Sequence, residues 1–221
     1  MVKPRFIFFD VGNTLLFPNR PRIMAPIATE KHPDLEGWQA IERRTKLEFD
    51  QGVISGAVDH SFWWSFYTHL LNDLGALDDG VRDTLVKNTH SSQNWDQIRP
   101  GTREALGRIG QRYAIAVISN ADGRIDAVLG RCGICDCFAS ITDSGNVGHE
   151  KPHPAIFEAA LREMKADPAE SLYVGDVYSV DYMGARNAGM DAVLFDVAGT
   201  YRGRDLQRVE SLTELEGWLE K

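Results

Sequence analysis

A small set of polar positions in this chain could do chemistry together. They are Asp10, Ser119 with Asn120, Lys151, Asp176 and Asp181. Asp10 closes an apolar run, Ser119-Asn120 closes a second, and Gly175-Asp176 closes a third, with Asp181 five residues on. Lys151 opens the segment that leads into that third run. One carboxylate can attack an electrophilic centre, while others hold a divalent cation through oxygen. A lysine and a hydroxyl can bind the oxygens of a phosphoryl group.

These residues need elements that bring them to one place. Continuous apolar runs bounded by turn residues predict strands buried on both faces at Arg5–Asp10, Tyr113–Ser119, Phe138–Thr142, Ser171–Gly175 and Asp191–Phe195. Helical spacing lies between them, at Thr102–Arg112, Asp122–Arg131, Pro154–Lys165 and Tyr182–Ala188. Ser211 and Glu214 form a capping box for a last helix. Strands alternating with helices imply an α/β fold, with a parallel sheet and right-handed crossovers. In such sheets ligands bind at the carboxyl ends of the strands, where the polar set falls. Asp143, after the third strand, reads as a loop residue.

Residues 18–99 read differently. Helices are expected at Ile23–Lys31, Gly37–Phe49, His60–Leu74 and Val81–His90, with breaks at Pro33, Gly52–Gly56 and Gly75–Gly80 and no strand. The segment enters directly after the Asp10 turn, so it is expected to be an inserted lid. The core then comprises residues 1–17 and 100–221. The aromatic run Phe62, Trp63, Trp64, Phe66, Tyr67 is expected to pack inside the lid. The neighbouring His60 and His69 read as structural.

In order and spelling, FIFFDVGNTLL (6–16), VISN (117–120), KPHPAIF (151–157), GDVYSVD (175–181) and GARNAGM (184–190) resemble the haloacid dehalogenase-like (HAD) hydrolase superfamily. RPGTREAL (99–106) is similar to the segment where such chains return from the lid to the core. The resemblance implies a Rossmann-like sheet of order 5-4-1-2-3 with an all-helical cap after the first strand. It implies that Asp10 is the nucleophile, forming an aspartyl-phosphate. Ser119 and Lys151 would bind the phosphoryl oxygens, with Thr14 and Asn120 also at the substrate. Asp10, Asp176 and the carbonyl of Gly12 would hold Mg²⁺, supported by Asp181.

The chain departs from this pattern at one position. The family's first motif reads Asp-x-Asp-Gly-Thr, and here it is Asp10-Val11-Gly12-Asn13-Thr14. The second carboxylate, which protonates the leaving group and then activates water, is Gly12. Asn13 is no substitute, because an amide does not titrate usefully. Another donor has to come from the lid, from His149 or from water. The reading is therefore a Mg²⁺-dependent hydrolase of a small phosphorylated metabolite. The alternatives are a metal-independent 2-haloacid dehalogenase and a catalytically weak binding or regulatory protein.

Composition bounds the partners. With 24 Lys+Arg against 32 Asp+Glu, a net charge of −8 argues against nucleic-acid and anionic-membrane binding. No run reaches the roughly 18 apolar residues of a membrane span. The N-terminal run is interrupted by Asp10 and reads as a strand, not a signal peptide. Cys132, Cys135 and Cys137 lack an evident fourth metal ligand and read as incidental thiols. A monomer or homodimer in the cytoplasm is expected.

Overall fold

The computed structural model describes residues 3–27, 32–57 and 61–220, so His60 lies outside the described residues. In chain order the strands are β1 (Phe6–Phe9), β2 (Leu16–Phe17), β3 (Gln97–Ile98), β4 (Ala114–Ser119), β5 (Ser140–Asp143), β6 (Ser171–Gly175), β7 (Asp191–Phe195) and β8 (Arg208–Val209). The helices are α1 (Arg20–Met24), α2 (Leu35–Ser55), α3 (Phe62–Asp73), α4 (Asp79–His90), α5 (Thr102–Gly110), α6 (Ile125–Arg131), α7 (Ser144–Val147), α8 (Pro154–Met164), α9 (Met183–Asn187) and α10 (Leu212–Leu219).

Six strands form one parallel sheet in the order β5-β4-β1-β6-β7-β8. Numbering the expected strands along the chain and reading from the other edge, this is the order 5-4-1-2-3. The short β8 extends the edge. Side chains alternate between the two faces, as strand geometry requires. Ile7, Phe9, Val117 and Val174 join α5, α6 and α10 on one side. Phe8, Ile118 and Tyr173 join α8 and α9 on the other. Both faces are covered, which is why the strand sequences are apolar throughout.

The helical segment after β1 differs from expectation at several ends. β2 and β3 pair antiparallel, Leu16 with Ile98 and Phe17 with Gln97, and form a stem at its base. The expectation of no strand between 18 and 99 is thus corrected. A two-residue strand, here exposed at both positions, is too short to leave a period in the sequence. α1 starts earlier, because Asn19 caps it and Pro21 lies in its first turn. α2 runs through Gly52 and stops at Gly56, whose φ of 69° is the left-handed stop that glycine accepts without strain. The helices have their own core, built on Ile23, Trp38, Ile41, Phe66, Leu70 and Leu85. Phe66 and Tyr67 of the aromatic run are buried in it, and Trp63 touches both this core and that of the sheet.

One ridge of α2 ties this segment to the sheet. Trp38, Glu42, Lys46 and Asp50 are spaced four apart and so lie on one face. Asp50 is buried, where its two oxygens accept the Ser179 N–H at 2.8 Å and the Tyr201 hydroxyl at 2.9 Å. Arg43 adds a bond from Nη1 to the carbonyl of Ala198 at 3.0 Å. Asp50→Ala leaves a buried N–H and a buried O–H without an acceptor, which lowers the free energy of unfolding by about 2–4 kcal/mol. Urea denaturation measures this, and a loss below about 0.5 kcal/mol would mean that Asp50 is not the anchor.

Candidate functional site

β1 delivers Asp10 to the sheet edge. The Asp10 N–H continues the ladder to the Val174 carbonyl at 2.8 Å, so the backbone there is fixed. The chain then turns sharply. Val11 O accepts from the N–H groups of Leu15 and Leu16 at 2.9 Å, and Asn13 takes the left-handed conformation with φ of 55°. Asn is among the few L-residues that do so at small cost.

Lys151 is placed from the other side of the site. Asn120, just past β4, clamps its backbone: Asn120 Oδ1 accepts the Lys151 N–H at 2.7 Å, and Asn120 Nδ2 donates to the Lys151 carbonyl at 3.1 Å. The Lys151 ammonium then donates to Asp10 Oδ1 at 2.6 Å, Asp181 Oδ1 at 2.8 Å and the Tyr173 hydroxyl at 2.8 Å. These use all three of its protons. Asp181 Oδ2 accepts the backbone N–H groups of Asp176 and Val177, at 3.0 and 2.9 Å. Gly175 makes this approach feasible, since a Cβ there would lie 2.5 Å from Asp181 Cγ.

The structure therefore brings Asp10, Lys151, Asp176 and Asp181 into one buried cluster. Gly12 and Thr14 share the Asp10 loop, and the buried Thr14 hydroxyl has no partner among the described residues. Ser119 ends β4, beside β1 and in register with Asp143. Asn120 acts on Lys151. His149 is exposed and stacks on His153, with ring centroids 4.2 Å apart. His69 pairs with Glu48 at 2.6 Å. The three cysteines are free thiols, and burial raises Cys132 and Cys137 above their ordinary values. Asp143 is more than a loop residue, because its carboxylate accepts the N–H groups of Gly123, Ile125 and Gly145.

Sequence reasoning missed Tyr173 and Lys46. Lys46, on the α2 ridge, is 1% exposed, with Nζ 2.8 Å from Asp176 Oδ2 and 2.7 Å from Glu42 Oε1. Burial alone would lower this lysine, but Asp176 and Glu42 hold it well above its ordinary value. The pairing with Asp176 is close but off hydrogen-bond geometry, and Asp176 Oδ2 has no other partner. Asp10, Asp176 and Asp181 each offer an oxygen, and the three lie within 4.8 Å of one another. Such an all-oxygen donor set, with one oxygen short of a hydrogen bond, fits a hard divalent cation such as Mg²⁺.

Residues 4–189 match the haloacid dehalogenase-like hydrolase family. The chain belongs to this family. The mouse haloacid dehalogenase-like hydrolase domain-containing protein 3 is 30% identical over 209 residues, 89% of this chain and 82% of the relative. Glyceraldehyde 3-phosphate phosphatase of Methanothermobacter thermautotrophicus is 42% identical over 94 residues, which are 42% of each chain. The crystal structure of the Bacillus subtilis putative HAD-hydrolase YfnB, bound to magnesium, superposes with a TM-score of 0.72. That superposition covers 99% of this chain and 100% of the other at 17% identity, so it bears on the fold alone. No helix among the described residues is long and apolar enough to cross a membrane.

At position 12 the space beside the glycine is taken by a ring. A Cβ built on Gly12 would lie 3.3 Å from Cζ3 of Trp95. The indole is held there, with Nε1 donating to the Thr89 carbonyl at 2.8 Å and the ring packed on Trp63 at 5.5 Å. A side chain introduced at position 12 would require this ring to give by a few tenths of an ångström.

The cluster is also electrostatically loaded. Burial raises Asp10 to about 6, against the pull of Lys151 and with the push of Asp181. Burial raises Asp176 to about 7, with Lys46 opposing and Asp10 and Asp181 adding to it. Both values lie above the unfolded ones, so the folded chain holds more protons between about pH 4 and 7, and these groups reduce stability as pH rises through that window. Asp176→Asn removes one of them. In chelator, the variant is expected to gain thermal stability relative to the wild type between about pH 5 and pH 8. A difference that stays constant with pH would show that Asp176 ionises as freely as an exposed carboxylate.

Proposed function

We propose that this protein is a Mg²⁺-dependent phosphomonoester hydrolase acting on a small phosphorylated metabolite. The observation that carries the reading is the cluster of Asp10, Asp176 and Asp181 around Lys151. Carboxylates gathered for a cation are what phosphoryl transfer needs, whereas attack on the carbon of a 2-haloacid has no use for them. The partial likeness to glyceraldehyde 3-phosphate phosphatase supports it.

In this reading Lys151 fixes Oδ1 of Asp10 and leaves the second oxygen to attack. That oxygen forms the bond to phosphorus as the ester P–O bond breaks, giving an aspartyl-phosphate. Lys151, its three protons committed, would contribute its charge, and the hydroxyls of Ser119 and Thr14 would donate to the phosphoryl oxygens. Asp10, Asp176 and the Gly12 carbonyl would hold Mg²⁺, with Asp181 bracing the Asp176 backbone and Lys151. When bound, the cation supplies positive charge against the transferring group. Water then hydrolyses the aspartyl-phosphate. The helices between β2 and β3 serve as the lid that keeps bulk water out, and α2 brings Lys46 to the site's edge.

Without a carboxylate at position 12, the leaving group takes its proton from water. Loss of a general acid–base commonly costs about 10²–10⁴-fold in rate, so good leaving groups are favoured. Phosphate release from an activated aryl phosphate is expected in the presence of Mg²⁺, to fall to background in chelator, and to be abolished in Asp10→Asn. Equal rates for wild type and Asp10→Asn would overturn the nucleophile assignment, and chloride release from 2-chloropropionate would favour the dehalogenase reading.

The Trp95 ring sets the second test. Gly12→Asp alone is expected to change the rate little, because the indole obstructs the new side chain. Gly12→Asp combined with Trp95→Leu is expected to be faster than the single variant by about 10-fold or more. The single variant performing as well as the double would show that Trp95 is no obstacle.

A further inference from the structure

The carboxylate cluster and the helical insertion touch at one ion pair. Asp176 follows β6 in the core, and Lys46 comes from the middle of α2, with Nζ 2.8 Å from Asp176 Oδ2. Glu42, one turn back on α2, holds the same ammonium at 2.7 Å. Lys46 is buried, so water cannot take over from either carboxylate. The two carboxylates outweigh the effect of burial, and the ammonium keeps its charge.

A second set of bonds seats this ammonium. Asp50, four residues on, accepts the Ser179 N–H at 2.8 Å and the Tyr201 hydroxyl at 2.9 Å. Tyr201 is itself fixed from the core. Its N–H donates to Asp196 Oδ2 at 2.9 Å, and its hydroxyl accepts the Tyr178 N–H at 3.0 Å. The helix is thus fastened to the same turn that carries Asp176, and Lys46 meets Asp176 whenever these bonds are made.

Asp176 Oδ2 is also the oxygen that its neighbours leave without a directed bond. Its contact with Lys46 is held by charge, and charge is what a divalent cation supplies in greater amount. Ammonium and cation therefore draw on one buried carboxylate. Two positive centres placed so close repel each other where charge is poorly screened.

We propose that Lys46 is a built-in competitor of the cation: it lowers the affinity of the Asp10, Asp176 and Asp181 cluster for Mg²⁺, and cation binding in turn loosens α2 from the core. The second half follows from the first, because coupling between two binding events is reciprocal. The insertion is then seated most firmly on the cation-free protein. This rests on the cluster being a cation site, as in the proposed function.

The test is calorimetric titration of the intact, chelator-treated protein with Mg²⁺ at one neutral pH, which needs no turnover. Lys46→Met is expected to bind Mg²⁺ more tightly than the wild type by about 10-fold or more. Asp50→Asn, which keeps Lys46 but weakens its seat, is expected to show part of this gain. The double variant is expected to gain nothing beyond Lys46→Met, since both changes act through one contact. Hydrogen exchange in α2 is expected to be faster with Mg²⁺ than with chelator in the wild type, and alike in both for Lys46→Met. Unchanged or weaker Mg²⁺ binding in Lys46→Met, or in Asp50→Asn should Lys46→Met fail to fold, would overturn the competition and leave the cation site standing. Exchange in wild-type α2 that Mg²⁺ leaves unchanged would overturn the coupling to the insertion. No Mg²⁺ binding by wild type or variants would refute the cation site, and the competitor with it.

Discussion

The ammonium of Lys151 is the constraint on which the site depends. It binds acceptors from separate parts of the chain: Asp10 after β1, Tyr173 within β6, and Asp181 in the turn after β6. Remove it, and two carboxylates face each other in a medium that screens them poorly. Much of the surrounding structure serves to put that ammonium there. Asn120 clamps its backbone, Gly175 yields space for Asp181, and Tyr173 reaches across from the middle of the sheet. Lys151 itself is held above its ordinary value, the carboxylates outweighing the effect of burial.

A second buried ammonium balances the third carboxylate, and it comes from outside the core. Lys46 rides on α2 and meets Asp176, while Asp50, one helical turn further, anchors the same helix to the backbone of Ser179. The position of the insertion and the charge state of the cluster are therefore one problem. If α2 shifts away, Asp176 loses its counter-charge and Ser179 and Tyr201 lose their acceptor. An acidic chain of net charge −8 thus carries two positive charges to its most acidic point. Burial and the neighbouring carboxylates nonetheless raise Asp10 and Asp176 against the pull of the two ammoniums, so the pair need not both be fully ionised at neutral pH, which eases the repulsion within the cluster.

The core was legible because its signals are local and redundant. A strand buried on both faces leaves an unbroken apolar run, and the parallel topology sends every such run to the same edge. Asp10, Ser119 and Asp176 could therefore be placed together from spacing alone. β6 and β7 fall on the expected residues, Ser171–Gly175 and Asp191–Phe195. The residues that escaped notice look ordinary along the chain. Lys46 four residues after Glu42 has the appearance of a solvated surface pair, and only the direction of α2 makes it a buried counter-ion. Asp50 is a similar case. The one sequence trace that it shares with Lys46 is the four-residue spacing of Trp38, Glu42, Lys46 and Asp50 on α2, which mixes polar and apolar residues and so defeats a search for an amphipathic face. β3 and β8 escaped because two residues carry no period.

Gly12 shows how core and insertion constrain each other. From sequence it is a missing acid. In the structure it is the space that lets Trp95 come within 3.3 Å of where a Cβ would stand. Trp95 is pinned to Thr89 at the end of α4 and packs on Trp63 of α3. The absence of a side chain at position 12 and the seating of Trp95 against the Asp10 loop are then one structural fact. A carboxylate at position 12 would have to be desolvated against the indole, at a cost that burial already imposes on Asp10.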